Sequence, residues 1–198
     1  MTSGLVAQLA QALDDAEQLI AGVHDSQLTA PTPCAEWEVR TLIGHLVSGN
    51  EAFAAIMAGQ PRPAPAAGPD QRSAASLLSA YREAAGPLVV AFSQPGALER
   101  VVTVPFGTVP GQVALHLRLT EILVHGWDLA SATGQVPRFA AGTIEQELAF
   151  STRALADVPP GRRPFAPSTH VPVGAPPLDQ LAALLGREVP FRPDAAAG

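Results

Sequence analysis

Glu121 and His125 stand four residues apart in QVALHLRLTEILVHGWDLASA, residues 112 to 132. On a helix that spacing leaves about 40° between the two side chains, so a carboxylate and an imidazole converge on one point. A shared divalent ion suits that point, and so does a plain Glu/His hydrogen-bonded pair. A third donor from another helix decides between them, because helix bundles build metal sites from His and carboxylate on separate helices. His45 is available for this role: it shares an apolar helical face with Leu42, Gly49 and Ile56. A satisfied core histidine would occupy the same position. His116, five residues before Glu121, projects about 140° away from it and reads as packing or surface. His24 and His170 lie in turn-rich segments and receive no role.

Two imidazoles and one carboxylate form a donor set for Zn²⁺, with Ni²⁺, Mn²⁺ or Fe²⁺ as alternatives. Three protein ligands leave one position open, where a bound water or thiol loses its proton near neutral pH. Asp128 follows His125 by three residues on the same face. It reads either as an orienter of a ligand imidazole or substrate, or as a solvated helix-end acid. Cys34 is a candidate nucleophile or fourth ligand, and equally a small buried hydrophobe. Trp37 and Trp127 read as apolar packing near the site rather than as stacking platforms.

These residues must be placed by helices. Leu5, Leu9, Ala12, Leu13, Ala16, Leu19 and Ile20 recur at helical spacing and predict a first helix over residues 4 to 22. Val39, Leu42, Ile43, Leu46, Phe53 and Ile56 predict a second, from Glu36 to Met57. GQPRPAPAAGPD, residues 59 to 70, cannot continue a helix and reads as an extended linker. Its reach, about 36 to 40 Å, is enough to cross the bundle and lay the next helix parallel to the second. Ser73 to Phe92 forms that third helix, and VVTVPFGT, residues 101 to 108, a long loop or hairpin. The fourth helix opens at Pro110 and Gly111 and ends before Gly134. Thr143 to Val158 makes a shorter fifth, and LDQLAALL, residues 178 to 185, two further turns. The expectation is an all-α four-helix bundle over 1–160 with a C-terminal tail, 161–198, packed on the same domain.

The chain has 198 residues, of which 47% are hydrophobic and 15% charged, a globular balance. Its net charge is −6 with scattered arginines, so the basic stripe of a nucleic-acid binder is missing. No apolar run has the length of a membrane span, and MTSGLVAQLAQALDD carries acids where a signal peptide carries a basic region. A cytoplasmic location is therefore expected, with neither membrane nor nucleic acid as partner. One cysteine excludes an internal disulfide and a multi-cysteine metal site. All twelve basic residues are arginine, a bias of GC-rich bacterial genomes.

TPCAEWEVRTLIGHL, residues 32 to 46, and EILVHGWDLASATG, residues 121 to 134, resemble the two signature segments of the DinB-like metalloprotein superfamily. The resemblance is closest to the mycothiol-dependent maleylpyruvate isomerase N-terminal domain and its actinobacterial relatives, and the tail VPVGAPPLDQLAALLGR, residues 171 to 187, resembles the same branch. It implies a DinB-like bundle with one divalent metal ion, usually zinc, held by His45, Glu121 and His125, and mycothiol as cosubstrate. Larger members add a C-terminal domain, for which this chain is expected to lack the length. The function expected first is a metal-dependent S-transferase joining a small-molecule thiol to an electrophilic substrate. The alternatives are cis/trans isomerisation of a maleylpyruvate-like diacid, with Arg162 and Arg163 as its cationic clamp, and a non-catalytic metal-containing binding protein. A monomer or homodimer is compatible with each.

Overall fold

The computed structural model describes residues 2–35, 37–64, 70–105, 107–156, 158 and 165–192. Four long helices form the body: α1 (Thr2–Ala21), α2 (Val39–Met57), α3 (Ala74–Ser93) and α4 (Gly111–Thr133). α1 and α2 each pack against both α3 and α4. Tyr81 midway along α3 donates to the Leu13 carbonyl on α1, and the Ala74 N–H at the start of α3 donates to Asp25 just beyond the end of α1 at 2.7 Å, so those helices are antiparallel.

α2 and α3 run parallel. Arg40 near the start of α2 donates to the Arg72 carbonyl just before α3. At the other end Arg100, which follows α3, donates to the Met57 carbonyl at 2.8 Å. The two ends of the linker therefore lie at opposite ends of the bundle, a span that its extended reach allows. Residues 65–69 of it lie outside the described part. Ser73 then caps α3 by accepting from the Ser76 N–H.

The segment before α4 is a hairpin, β1 (Val101–Val104) against β2 (Gly107–Pro110), antiparallel with Val102 opposite Val109. Val102 and Val104 alternate inward and the strand feeds straight into α4. α4 is buried on most of its circumference because α1, α2, α5 (Ala141–Ala156) and α6 (Pro177–Leu184) all touch it. Gly134, at φ 71°, closes it in the left-handed region.

α2 begins at Val39, the first of its apolar positions and three residues later than the expected start at Glu36. Glu38 is extended and bridges to Pro31, so the helix does not begin before it; Glu36 lies outside the described residues. Among the described residues no helix is long and apolar enough to cross a membrane.

α6 is fastened to the bundle by Trp127 on α4, whose Nε1–H donates to Asp179 Oδ1 at 2.7 Å. Trp127 is thus both a packing residue and a tether. Asp179→Ala should lower unfolding stability by about 1–3 kcal/mol, the worth of a hydrogen bond to a charged group. The denaturant midpoint measures this, and an unchanged midpoint would mean that α6 is held by apolar contact alone.

Candidate functional site

The antiparallel packing of α2 on α4 brings His45 to Glu121 and His125. His45 Nε2 lies 4.0 Å from Glu121 Oε2, and the two imidazole rings meet edge-on with centroids 5.0 Å apart. Trp37, from the loop before α2, lies over both, its ring centroid 4.5 Å from His45 and 5.6 Å from His125. Thr32 secures that loop: its hydroxyl donates to the Trp37 carbonyl at 2.8 Å and accepts from the Cys34 N–H at 3.2 Å. The His45 side chain, 32% exposed, marks the open side of the site.

Two buried arginines stand behind the three residues. Arg118, with no exposed surface, donates to Glu121 Oε2 at 2.7 Å, to the Leu46 carbonyl at 2.8 Å and to Asn50 Oδ1 at 3.0 Å. Gly49 makes room for it, since a Cβ there would sit 2.2 Å from Arg118 Nη1. Arg187, from the segment after α6, donates to both oxygens of Asp128 at 3.2 and 2.9 Å. Asp128 in turn meets His125 Nδ1 at 3.0 Å. With that carboxylate as acceptor the proton sits on Nδ1, which leaves the Nε2 lone pair for a ligand.

Burial, reinforced by the neighbouring His125, pushes the His45 pKa down to about 4, so its imidazole is neutral at physiological pH and able to coordinate. The opposite charges of Arg118 and Glu121, and of Arg187 and Asp128, cancel in pairs.

The donor set has the residue types of a divalent-metal site: two imidazoles and a carboxylate from two helices. Its spacing is open. Bonds of about 2.0–2.2 Å to a tetrahedral ion place donors roughly 3.4 Å apart, against 4.0 Å between His45 and Glu121. Among the described residues no group of three or more His, Cys, Asp and Glu is arranged so that it could hold a metal ion as it stands. The His45–Glu121 pair would have to close by about half an ångström to share such an ion.

The family model described as "Mycothiol maleylpyruvate isomerase N-terminal domain" matches residues 9–130, which include His45, Arg118, Glu121, His125 and Asp128. The chain belongs to this family. The mycothiol maleylpyruvate isomerase family also supplies the structural likeness. The crystal structure of the mycothiol-dependent maleylpyruvate isomerase superposes with TM-score 0.59 at 18% identity, covering 75% of this chain and 69% of that one. A histidine-to-alanine mutant of that enzyme gives TM-score 0.58 at 17% identity over the same shares. At those identities the likeness is one of fold, and it agrees with the DinB-like bundle. The uncharacterized protein Rv0738 of Mycobacterium tuberculosis is 41% identical over 185 residues, which are 90% of this chain and 95% of that one. The uncharacterized protein MT0763, from another strain of that organism, matches to the same extent.

In this family member the remaining candidates are distributed as follows. His116 stays apart from the site and is not a surface residue: its Nδ1 meets the fully buried Glu147 Oε1 on α5 at 2.7 Å, and its ring stacks on Phe150. Asp128 has no exposed surface, which removes the reading as a solvated acid. Cys34 is half-buried in the Trp37 loop, within electrostatic reach of Arg187. Trp37 lines the site instead of packing wholly in the core. Arg162 and Arg163 lie outside the described residues.

Arg118 and Arg187 escape a reading of local pattern. A lone arginine among leucines in ALHLRLTEIL, three residues before Glu121, is the one local signal for the first. Nothing near Arg187 signals a partner 59 residues earlier. Two clefts of about 610 and 630 Å³ lie elsewhere, between α2 and α3 and between α1 and α3, and neither is lined by His45, Glu121 or His125.

Proposed function

We propose that the chain is a metal- and thiol-dependent enzyme in which His45, Glu121 and His125 hold one divalent ion, zinc first among the candidates, and mycothiol is the cosubstrate. The observation that carries this reading is the meeting of the three donors under Trp37, with each ligand from α4 braced by a buried partner. A divalent ion held there supplies a Lewis acid that lowers the pKa of a thiol in its open position. Because the site's own charges cancel in pairs, an anionic sulfur meets no uncompensated carboxylate.

The chain's own part in the reaction is positioning. Arg118 fixes the Glu121 carboxylate, and Asp128 fixes the tautomer and plane of His125. Trp37 shields the imidazoles on one side and leaves the His45 side for the thiol and its electrophile.

Reversible addition is the overall reaction that the family description and the fold likeness favour. Thiolate attack on one alkene carbon of a maleylpyruvate-like diacid makes a single bond about which the adduct rotates. Expulsion of the same thiolate restores the double bond with opposite geometry and regenerates the thiol, so no oxidant or second substrate is consumed. Net S-transfer, in which the thioether is kept as product, is the second reading. It uses the same site and differs only in whether the adduct can expel the thiol.

Zinc-loaded protein incubated with mycothiol should convert maleylpyruvate to its trans isomer faster than metal-free protein does. Conjugation of monochlorobimane without isomerisation would establish S-transfer instead. No metal-dependent rate with either electrophile would leave a non-catalytic metal-binding protein and overturn the enzyme reading.

A further inference from the structure

The C-terminal segment reaches into the site at one residue. α6 ends at Leu184, and the chain then turns through Gly186, at φ 86° in the left-handed region. A Cβ at Gly186 would sit 2.6 Å from the Ala166 Cβ and 2.8 Å from the Ala166 carbonyl, so the turn is closely packed as well as left-handed. Arg187 follows, 6% exposed and fixed at its own backbone: its N–H donates to the Ala182 carbonyl at 3.0 Å, and its carbonyl accepts from the Thr169 hydroxyl. Its guanidinium also donates through Nη1 to the Leu185 carbonyl at 2.9 Å. What remains of the fork, Nε and Nη2, spans the two oxygens of Asp128.

We propose that Arg187 is a positioning residue of the metal site, acting through Asp128 on His125. The proposal rests on the reading of His125 as a ligand. Two N–H donors from one rigid plane fix the plane of the carboxylate as well as its place. The same oxygen that takes Arg187 Nη2, Asp128 Oδ2, meets His125 Nδ1, so the direction of that oxygen sets the direction of the imidazole. Without Arg187 the buried Asp128 retains His125 as its one remaining partner among those described above, and it is free to rotate with it. Arg187 lies beyond residues 9–130, so a segment outside the matched family domain takes part in shaping the site.

The test is a titration of the full chain with Zn²⁺, and with Co²⁺ for its ligand-field spectrum, in Arg187→Ala, Arg187→Lys, Asp128→Ala and the Arg187→Ala/Asp128→Ala double variant. Loss of a residue that orients a ligand typically costs about 10–100-fold in metal affinity, and Arg187→Ala should fall in that range. In the Asp128→Ala background the same replacement should add little, because its target is gone. Arg187→Lys keeps the buried charge and protects the fold, yet a point charge cannot span both oxygens. It should show a shifted Co²⁺ spectrum and an affinity between those of wild type and Arg187→Ala.

Wild-type affinity and spectrum in Arg187→Lys, or equal losses from Arg187→Ala with and without Asp128, would overturn the proposal and reduce Arg187 to a structural role. His125→Ala is the control for the underlying reading. Undiminished metal binding there would overturn the ligand assignment and the proposal with it, a result distinct from either of the others.

Discussion

On the proposed ligand set, alanine at His45 or His125 should abolish metal binding almost completely, and alanine at His116 should leave it in place. The first two positions supply imidazoles to the cluster that also holds Glu121, and two donors cannot keep what three hold in competition with water. Glu121→Ala should behave like the histidine variants and in addition leave Arg118 without its carboxylate. His116 is engaged with Glu147 and Phe150 on the far side of α4, so its removal costs packing and a hydrogen bond there, not metal. Metal stoichiometry by native mass spectrometry on the four variants decides this. Full occupancy in His45→Ala or His125→Ala, or loss in His116→Ala, would mean that other histidines form the site.

The second large effect is expected at Arg118. Its guanidinium is wholly buried and makes three hydrogen bonds, to Glu121, Asn50 and the Leu46 carbonyl. Removing one member of a buried charged pair typically costs about 3–5 kcal/mol, since the partners left behind lose their compensation. Arg118→Ala should therefore destabilise the protein by about that amount and weaken metal binding as well. Gly49→Ala tests the same group from the opposite side. The added methyl would overlap the guanidinium, which has no solvent to retreat into. It should reproduce much of the Arg118→Ala loss although it deletes no polar atom. Unfolding midpoints close to wild type in both variants would show that the arginine can relocate, and that the packing around Gly49 is looser than described.

The two predictions differ in how far each was legible beforehand. The helical spacing of Glu121 and His125 and the apolar face of His45 can be read along the chain, because side-chain direction on a helix follows from residue number alone. The same rule finds α1, α3 and α4 nearly to their ends and the proline-rich linker between α2 and α3. The family-like segments around His45 and Glu121 imply the ligand set proposed above. The expected start of α2 is too early because the run from Glu36 carries no proline to stop a helix, while the Thr32 hydroxyl holds the Trp37 carbonyl and Pro31 bridges to Glu38.

Arg118 and Arg187 belong to a different kind of information. A charged side chain carries no periodic signal of its own, and whether it is solvated or buried depends on what packs over it. Arg118 meets partners 68 and 72 residues earlier in the chain, and Arg187 meets one 59 residues earlier. Such contacts exist because antiparallel packing of α2 on α4, and the turn after α6, bring distant segments within hydrogen-bond reach. Residue types and local period thus single out the proposed donors, whereas the groups that hold those side chains in place emerge from packing alone: burial makes an unpaired charge costly, and the folded chain supplies its partners.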